Sequence, residues 1–185
     1  MTVQPDNKPR GVVVLIGLRG SGKSTIGRAL ADQTGAVFVD LDDRTRIELG
    51  AQTISEAFRE QGEAGFRVAE VRALRAVIGE ANRSQRAMVL ALGGGTPMAP
   101  GAEELLGQWR RHGARVVYLR TSADVLAQRL QGQVADRPSL TGKGAIEEVG
   151  EVLAARDERY CALADVVVDA AASMDATVQG VMSAW

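Results

Sequence analysis

Near the start of the chain, Gly17-Leu18-Arg19-Gly20-Ser21-Gly22-Lys23-Ser24 has the spacing G-x-x-x-x-G-K-[ST] of a phosphate-binding loop. Each residue type has a physical reason to be there. Gly17, Gly20 and Gly22 let the backbone take conformations that a side chain blocks, so successive N–H groups can turn inward around an anion. A helix that begins at this point adds its dipole. Lys23 supplies a mobile positive charge for the outer phosphates, and Ser24 a hydroxyl for Mg²⁺. The apolar run Val12–Ile16 precedes the loop, and Ile26, Ala29 and Leu30 follow it at helical spacing. Strand, loop and helix are the context the motif requires; a glycine-rich turn that binds nothing would need neither neighbour.

Other residues with chemical potential lie further along. Asp40, Asp42 and Asp43 close a second apolar run. Asp40 and Asp42 project to one side if the backbone stays extended there. A carboxylate beside a phosphate loop can hold Mg²⁺ through water or take a proton from an attacking hydroxyl. The competing reading is an N-cap with first-turn acids, and Asp43 fits that plainer role. Two arginines stand on apolar stripes. Arg67 is four residues before Val71, and Arg156 lies among Ile146, Val149, Leu153, Tyr160 and Leu163. An inward guanidinium needs an anion. Glu70, three residues after Arg67, would serve as an internal partner, and a ligand carboxylate or phosphate gripped by two parallel hydrogen bonds would serve equally. Spacing alone leaves both open. Gly93-Gly94-Gly95 exceeds what a tight turn needs and suggests a backbone that a ligand approaches closely. Arg137, in a glycine-rich flap, is placed to stabilise charge on a transferring phosphoryl group, with a solvated loop cation as the alternative. Arg129, just before the flap, carries a weaker signal of nucleotide contact. His112-Gly113 reads as a helix C-terminus. Arg110-Arg111 reads as a solvated helix end, and Cys161, Trp109 and Trp185 as structural residues.

The elements that must hold these residues follow from hydropathy. Val12–Ile16 and the segments 36–39, 87–92, 115–119 and 165–168 are apolar without clean alternation, as strands covered on both faces should be. Helical patterns separate them. The expected fold is α/β: a five-stranded parallel sheet between two helical layers. Ligands collect at the carboxyl ends of such strands. The phosphate loop, the aspartates and the triple glycine all fall on that edge. Residues 42–86 are longer than the dozen or so a direct crossover needs. They read as two or three helices, Ile54, Ala57 and Phe58 marking a short one and Val71, Leu74, Ile78 and Ala81 a longer one. Together they are expected to form a separate small subdomain over the sheet edge. Residues 131–144 read as a flap, and 1–10 as a loose polar lead-in to a single domain.

The 185 residues suffice for one domain with a full core. With 45% hydrophobic and 24% charged residues, a net charge of -1 and a pI near 5.9, nothing favours a nucleic-acid or anionic-membrane partner. A lone cysteine excludes an internal disulfide framework and suits a reducing cytoplasm. No apolar run has the length of a membrane span.

Taken in order, these segments resemble the shikimate kinases, which belong with the nucleoside-monophosphate-kinase-like P-loop proteins. The resemblance covers about residues 11–170. It rests on the phosphate loop, D-L-D-D from Asp40, I-x-E-x-F at Ile54 to Phe58, G-F-R ending at Arg67, L-G-G-G from Leu92, D-R-P from Asp136 and R-x-x-x-Y from Arg156. It implies transfer of the ATP γ-phosphate to the 3-hydroxyl of shikimate, a step toward chorismate and the aromatic amino acids. ATP and Mg²⁺ are the implied cofactors, shikimate the small-molecule partner, and a cytoplasmic monomer the expected form. Residue by residue it implies that Gly20, Ser21, Gly22, Lys23, Ser24 and Thr25 hold the nucleotide phosphates. Ser24 ligates Mg²⁺, with Asp40 acting through water. Asp42 binds the reacting hydroxyl and serves as base. Arg67 and Arg156 clamp the substrate carboxylate, Glu70 orients Arg67, Gly94 and Gly95 line the pocket, and Phe58 packs on the ring. Arg137 closes over ATP and Arg129 stacks near adenine. The chain departs from the usual R-x-P-x-Y by Glu158 and from R-P-L-L by R-P-S-L. A kinase for another polyol or acid is one alternative. A non-catalytic ligand-sensing domain is the other; it would be expected to carry a partner domain, for which ten residues before the first strand are too few.

Overall fold

The structure, a computed structural model, describes residues 11–84, 86–131 and 146–185. The lead-in 1–10, almost all of the flap 131–144, and with it Arg137, lie outside the described residues. Among those described, no helix is long and apolar enough to cross a membrane.

Five parallel strands make one sheet in the order β2-β3-β1-β4-β5. They are β1 Val12–Ile16, β2 Val37–Asp40, β3 Met88–Ala91, β4 Arg115–Arg120 and β5 Val166–Asp169. Each matches a predicted apolar run to within a residue or two at either end. The central strand β1 pairs Leu15 with Ala91 of β3 on one side and with Val117 of β4 on the other. Side chains alternate across a strand, so β1 feeds two cores. Val13 and Leu15 pack with Ile26 and Leu30 of α1 (Lys23–Thr34) and with Val178 and Val181 of α7 (Met174–Ala184). Val14 and Ile16 pack on the opposite face. There they meet α3 (Ile54–Ser84), α4 (Ala102–Arg111), α5 (Ala123–Gln131) and α6 (Val149–Leu163). This is the three-layer arrangement expected from the sequence.

The segment 42–86 behaves differently from a wholly separate subdomain. Helix α2 (Leu41–Glu48) starts directly at the end of β2. Helix α3 is broken at Gly62, whose φ of 65° and ψ of 172° leave the helical region, a conformation that glycine adopts without steric cost. The longer half belongs to the main core through Ala73, Leu74, Val77 and Ala81. Only the stretch around the break has its own small cluster, Ala51, Ile54, Ala57 and Phe66, with Leu49 and Phe58 against it. The break sets the Phe58 ring 4.8 Å from that of Phe66. The two helices read separately from the sequence are therefore the two halves of α3 on either side of Gly62, the second of them rooted in the core.

Two readings of helix ends resolve in opposite ways. His112 caps α4 and Gly113 follows with φ 95°, as expected. Arg110 is not a solvated residue. It donates twice to Asp165 Oδ1, at 2.9 and 2.5 Å, and ties α4 to the turn before β5.

Candidate active site

The phosphate loop joins β1 to α1 at the point where successive strands lie on opposite sides of β1. Gly17, Gly20 and Gly22 all have positive φ. Lys23 is 9% exposed. Its Nζ donates to the carbonyl oxygens of Gly17 and Leu18, both at 2.9 Å, and lies 3.4 Å from Ser21 Oγ. Ser24 Oγ donates to Asp40 Oδ2 at 2.6 Å. β2, β3 and β1 are neighbours, so the three features expected on the sheet rim stand side by side.

Asp40 and Asp42 reach that rim by a route other than strand alternation. The chain turns helical at Leu41, so Asp42 lies in the first turn of α2. Asp40 is the N-cap, its Oδ1 accepting from Asp42 N at 3.1 Å. The capping reading is thus correct for Asp40, whose other oxygen holds Ser24. Asp43 pairs loosely with Arg46 at 3.8 Å.

Across the rim, one pocket is walled by Leu18 and Arg19 of the phosphate loop, Asp42, Phe58, Arg67, Glu70, Gly94, Gly95, Glu148 and Arg156, among others. Both stripe arginines are in it. For Arg67 the two readings coexist. Nη1 donates to Glu70 Oε2 at 2.5 Å, and the guanidinium still faces the pocket, 5.6 Å from the Phe58 ring centroid. Glu70 is 1% exposed, and its other oxygen accepts from Thr96 Oγ1 at 2.7 Å. Arg156 Nη1 donates to the Gly94 carbonyl at 3.3 Å, and the Tyr160 hydroxyl donates to the same oxygen. The predicted stripe of α6 holds at Val149, Tyr160 and Leu163, which are buried, and at Leu153, which packs against the core; Val152 is buried beside them, and only Ile146, which precedes the helix, is exposed.

Each glycine of the triplet stands where a Cβ would be crowded. A Cβ on Gly93 would collide with the side chains of Asp42, Glu70 and Thr96, and one on Gly95 with the Arg67 guanidinium. At Gly94 it would come 3.2 Å from the backbone N of Arg19. Gly94 and Gly95 line the pocket, as expected, and the triplet also has causes within the protein. Gly93 and Gly95 make room for protein side chains, and Gly94 lets the loop abut the phosphate loop. Arg129 is likewise engaged by the protein: it donates to Ala170 O at 2.7 Å and to Gly20 O at 3.4 Å.

Burial pushes the Glu70 carboxyl above the ordinary 4.5, against the opposing pull of the Arg67 charge and the hydrogen bonds from Arg67 and Thr96. The native protein keeps this proton over a range in which the unfolded chain has released it. Its contribution to stability is complete in acid and is lost as pH rises through the raised value. The melting temperature of the wild type relative to Glu70→Gln should accordingly fall from about pH 4.5 toward neutrality. A difference that stays constant across thermal melts at several pH values would contradict the shift.

A sequence profile of the family described as "Shikimate kinase" matches residues 19–184. The chain belongs to the shikimate kinase family. "Shikimate kinase 2" of Erwinia tasmaniensis is 42% identical over 173 residues, covering 92% of this chain and 93% of that one. "Shikimate kinase 2" of Photorhabdus laumondii is 38% identical over 161 residues, 86% of each chain. The solved structure of shikimate kinase from Acinetobacter baumannii in complex with shikimate superposes with a TM-score of 0.79 at 29% identity, covering 97% of this chain and 93% of that one. The shikimate kinase match continues through α7, beyond the 11–170 expected from motifs. At the departure from the family pattern, Glu158, α6 runs unbroken and the side chain is exposed.

Motif reasoning left out two residues that line the pocket, Arg19 and Glu148, and two that brace its lining, Thr96 on Glu70 and Tyr160 on the Gly94 carbonyl. Arg19 occupies a position that the loop pattern leaves free, so no spacing rule marks it. Glu148 precedes α6 and is 3% exposed; a buried carboxylate has no sequence signature of its own. Thr96 adjoins the triple glycine and could have been suspected from it. Tyr160 stood on the predicted stripe, where it read as packing.

Proposed function

We propose that this chain transfers the ATP γ-phosphate to the 3-hydroxyl of shikimate, giving shikimate 3-phosphate and ADP, in the supply of chorismate for aromatic amino acids. One observation carries the reading. Two guanidinium groups and Asp42 share a pocket whose wall continues into the phosphate loop, and the Lys23 ammonium bonds the carbonyl of Leu18, a residue of that wall. A small acid held by its carboxylate at Arg67 and Arg156 would present a hydroxyl toward the phosphates. That is the positioning on which phosphoryl transfer depends.

The roles follow from what each group is. Gly20 to Thr25 would line the phosphates with N–H donors and the start of α1. Lys23 would leave its loop carbonyls for phosphate oxygens of higher charge. Asp42 would accept the hydroxyl proton. Arg67 and Arg156 would grip the carboxylate, with Glu70 fixing the first, and Phe58 would cover the ring. Arg137, outside the described residues, would add positive charge over the transferring group, and Arg129 would flank the adenine. Ser24 Oγ and Asp40 Oδ2 are a pair of hard oxygen donors beside the loop. The described residues contain no group of three or more His, Cys, Asp and Glu able to cage a metal. That suits Mg²⁺, which usually takes one or two carboxylates together with phosphates and water. When bound, Mg²⁺ would neutralise phosphate charge.

The test is ADP release from Mg²⁺-ATP with and without shikimate, beside gluconate and quinate as other hydroxy acids. Release strongly stimulated by shikimate alone is the expected result. No stimulation, or stimulation by another acceptor instead, would refute the assignment. Gly95→Ala probes the clamp without replacing a charged residue. Its new Cβ displaces the Arg67 guanidinium, so the KM for shikimate should rise about tenfold or more while that for ATP stays within about twofold. Steady-state kinetics on both substrates decide it.

A further inference from the structure

Arg156 projects from a helix, and a helix aims its side chains only as well as its rotation is fixed. Side-chain tips stand ~5–6 Å from the axis, so a 20° rotation moves them ~2 Å, while ~1 Å of misplacement can cost on the order of 100-fold in rate. Burial of Val149, Val152 and Leu163 sets which face of α6 turns to the core, but the hydrophobic effect itself is non-directional and leaves the last degrees of rotation to other contacts. Hydrogen bonds can supply that finer control.

On the pocket side Arg156 and Tyr160 both reach the Gly94 carbonyl. On the flank, Asp157 is anchored to β4 by three hydrogen bonds. Tyr118 donates to Oδ1 at 2.8 Å, Arg120 Nε to the same oxygen at 3.0 Å, and Arg120 Nη2 to Oδ2 at 2.6 Å. Tyr118 and Arg120 are two apart on one strand and so project from one face. The Tyr118 ring also lies 5.0 Å from that of Tyr160, which joins the two sets of contacts. Burial pushes the Tyr160 phenol up to about 12, and burial with the Asp157 carboxylate raises that of Tyr118 as well. Both hydroxyls are donors at neutral pH. Arg159 adds an ion pair to Glu103 of α4, but both side chains are about half in solvent.

Stability is a poor explanation for the Arg120–Asp157 fork. The Arg120 side chain is 56% exposed and that of Asp157 26%, and such pairs contribute little. A two-pronged fork on a fixed strand does confine direction. We propose that Asp157, held by Tyr118 and Arg120, is a positioning residue that sets the rotation of α6 and thereby the aim of Arg156 into the acid pocket. The proposal rests on the reading of Arg156 as a carboxylate ligand.

The experiment compares Asp157→Ala, Asp157→Asn and Arg120→Met in an otherwise intact chain. Asp157→Ala should raise the KM for shikimate about fivefold to tenfold and leave that for ATP unchanged. Asp157→Asn, which still accepts from Tyr118, should recover part of the loss, and Arg120→Met should fall between. In an Arg156→Ala background Asp157→Ala should add nothing, because there is no guanidinium left to aim. A substrate-free readout accompanies the kinetics: the order parameter of the Arg156 Nε–H by NMR should drop in Asp157→Ala. Equal effects on both KM values, full additivity with Arg156→Ala, or an unchanged KM would overturn the proposal. If the wild type fails to use shikimate but Arg156 still loses order, the functional reading falls and the positioning stands. An Arg156 order parameter indifferent to Asp157 removes the positioning itself.

Discussion

Lys23→Ala is expected to reduce turnover by about 100-fold to 1000-fold, the range seen when one preorganised charge-stabilising group is removed from a reacting centre. The lysine is the side chain that the phosphate loop exists to present. It is held inside the loop on two carbonyls, so its ammonium needs only a short swing to reach phosphate oxygens. The same contacts brace the loop, and the variant must be shown to fold. Thermal melting supplies that control, and Lys23→Met keeps most of the buried stem if alanine proves unstable. A coupled ADP assay gives the rate. A folded variant with near-wild-type turnover would remove the mechanism.

Arg67→Ala should raise the KM for shikimate by on the order of 100-fold, corresponding to about 3 kcal/mol for the loss of one side of a buried, hydrogen-bonded charge pair. The KM for ATP should change little, since the guanidinium faces the acid pocket. Part of any loss will come from Glu70, which is 1% exposed and would be left buried without its cation. Arg67→Lys separates the two effects. It keeps a charge for Glu70 but lacks the planar fork that matches a carboxylate, so its melting temperature should stay near wild type while the KM for shikimate still rises about tenfold. Parallel increases in both KM values would argue against a carboxylate clamp.

The clamp also shows how far residue spacing reaches. Arg67 and Arg156 were recognisable because each interrupts an apolar stripe, and a stripe has a direction. Glu70 was recognisable as a partner for Arg67 from its spacing on the same helix, but the Gly94 carbonyl that meets Arg156 was not. Arg67 turns out to meet Glu70 and the pocket together, and Arg156 the Gly94 carbonyl. Helix periodicity states which face a residue is on and says nothing about what stands opposite. The aspartates make the same point in reverse. Strand alternation would place Asp40 and Asp42 together, and they do share the rim, yet Asp42 arrives there from the first turn of a helix. The triple glycine was visible as an anomaly, but the side chains of Asp42, Arg67 and Glu70 and the backbone at Arg19 that crowd it are distant in sequence.

By itself, the sequence determined the order of strands and helices, the phosphate loop and the family, because these depend on local periodicity and on residues close together in the chain. Only the tertiary structure decided that Arg19 and Glu148 line the pocket while Thr96 and Tyr160 brace Glu70 and Gly94 behind it, that α3 breaks at Gly62 yet stays rooted in the core, and that β4 holds the flank of α6. Each of these is a contact between segments tens of residues apart. Such contacts are set by how strands pair and layers stack, and no local pattern in the chain encodes that stacking.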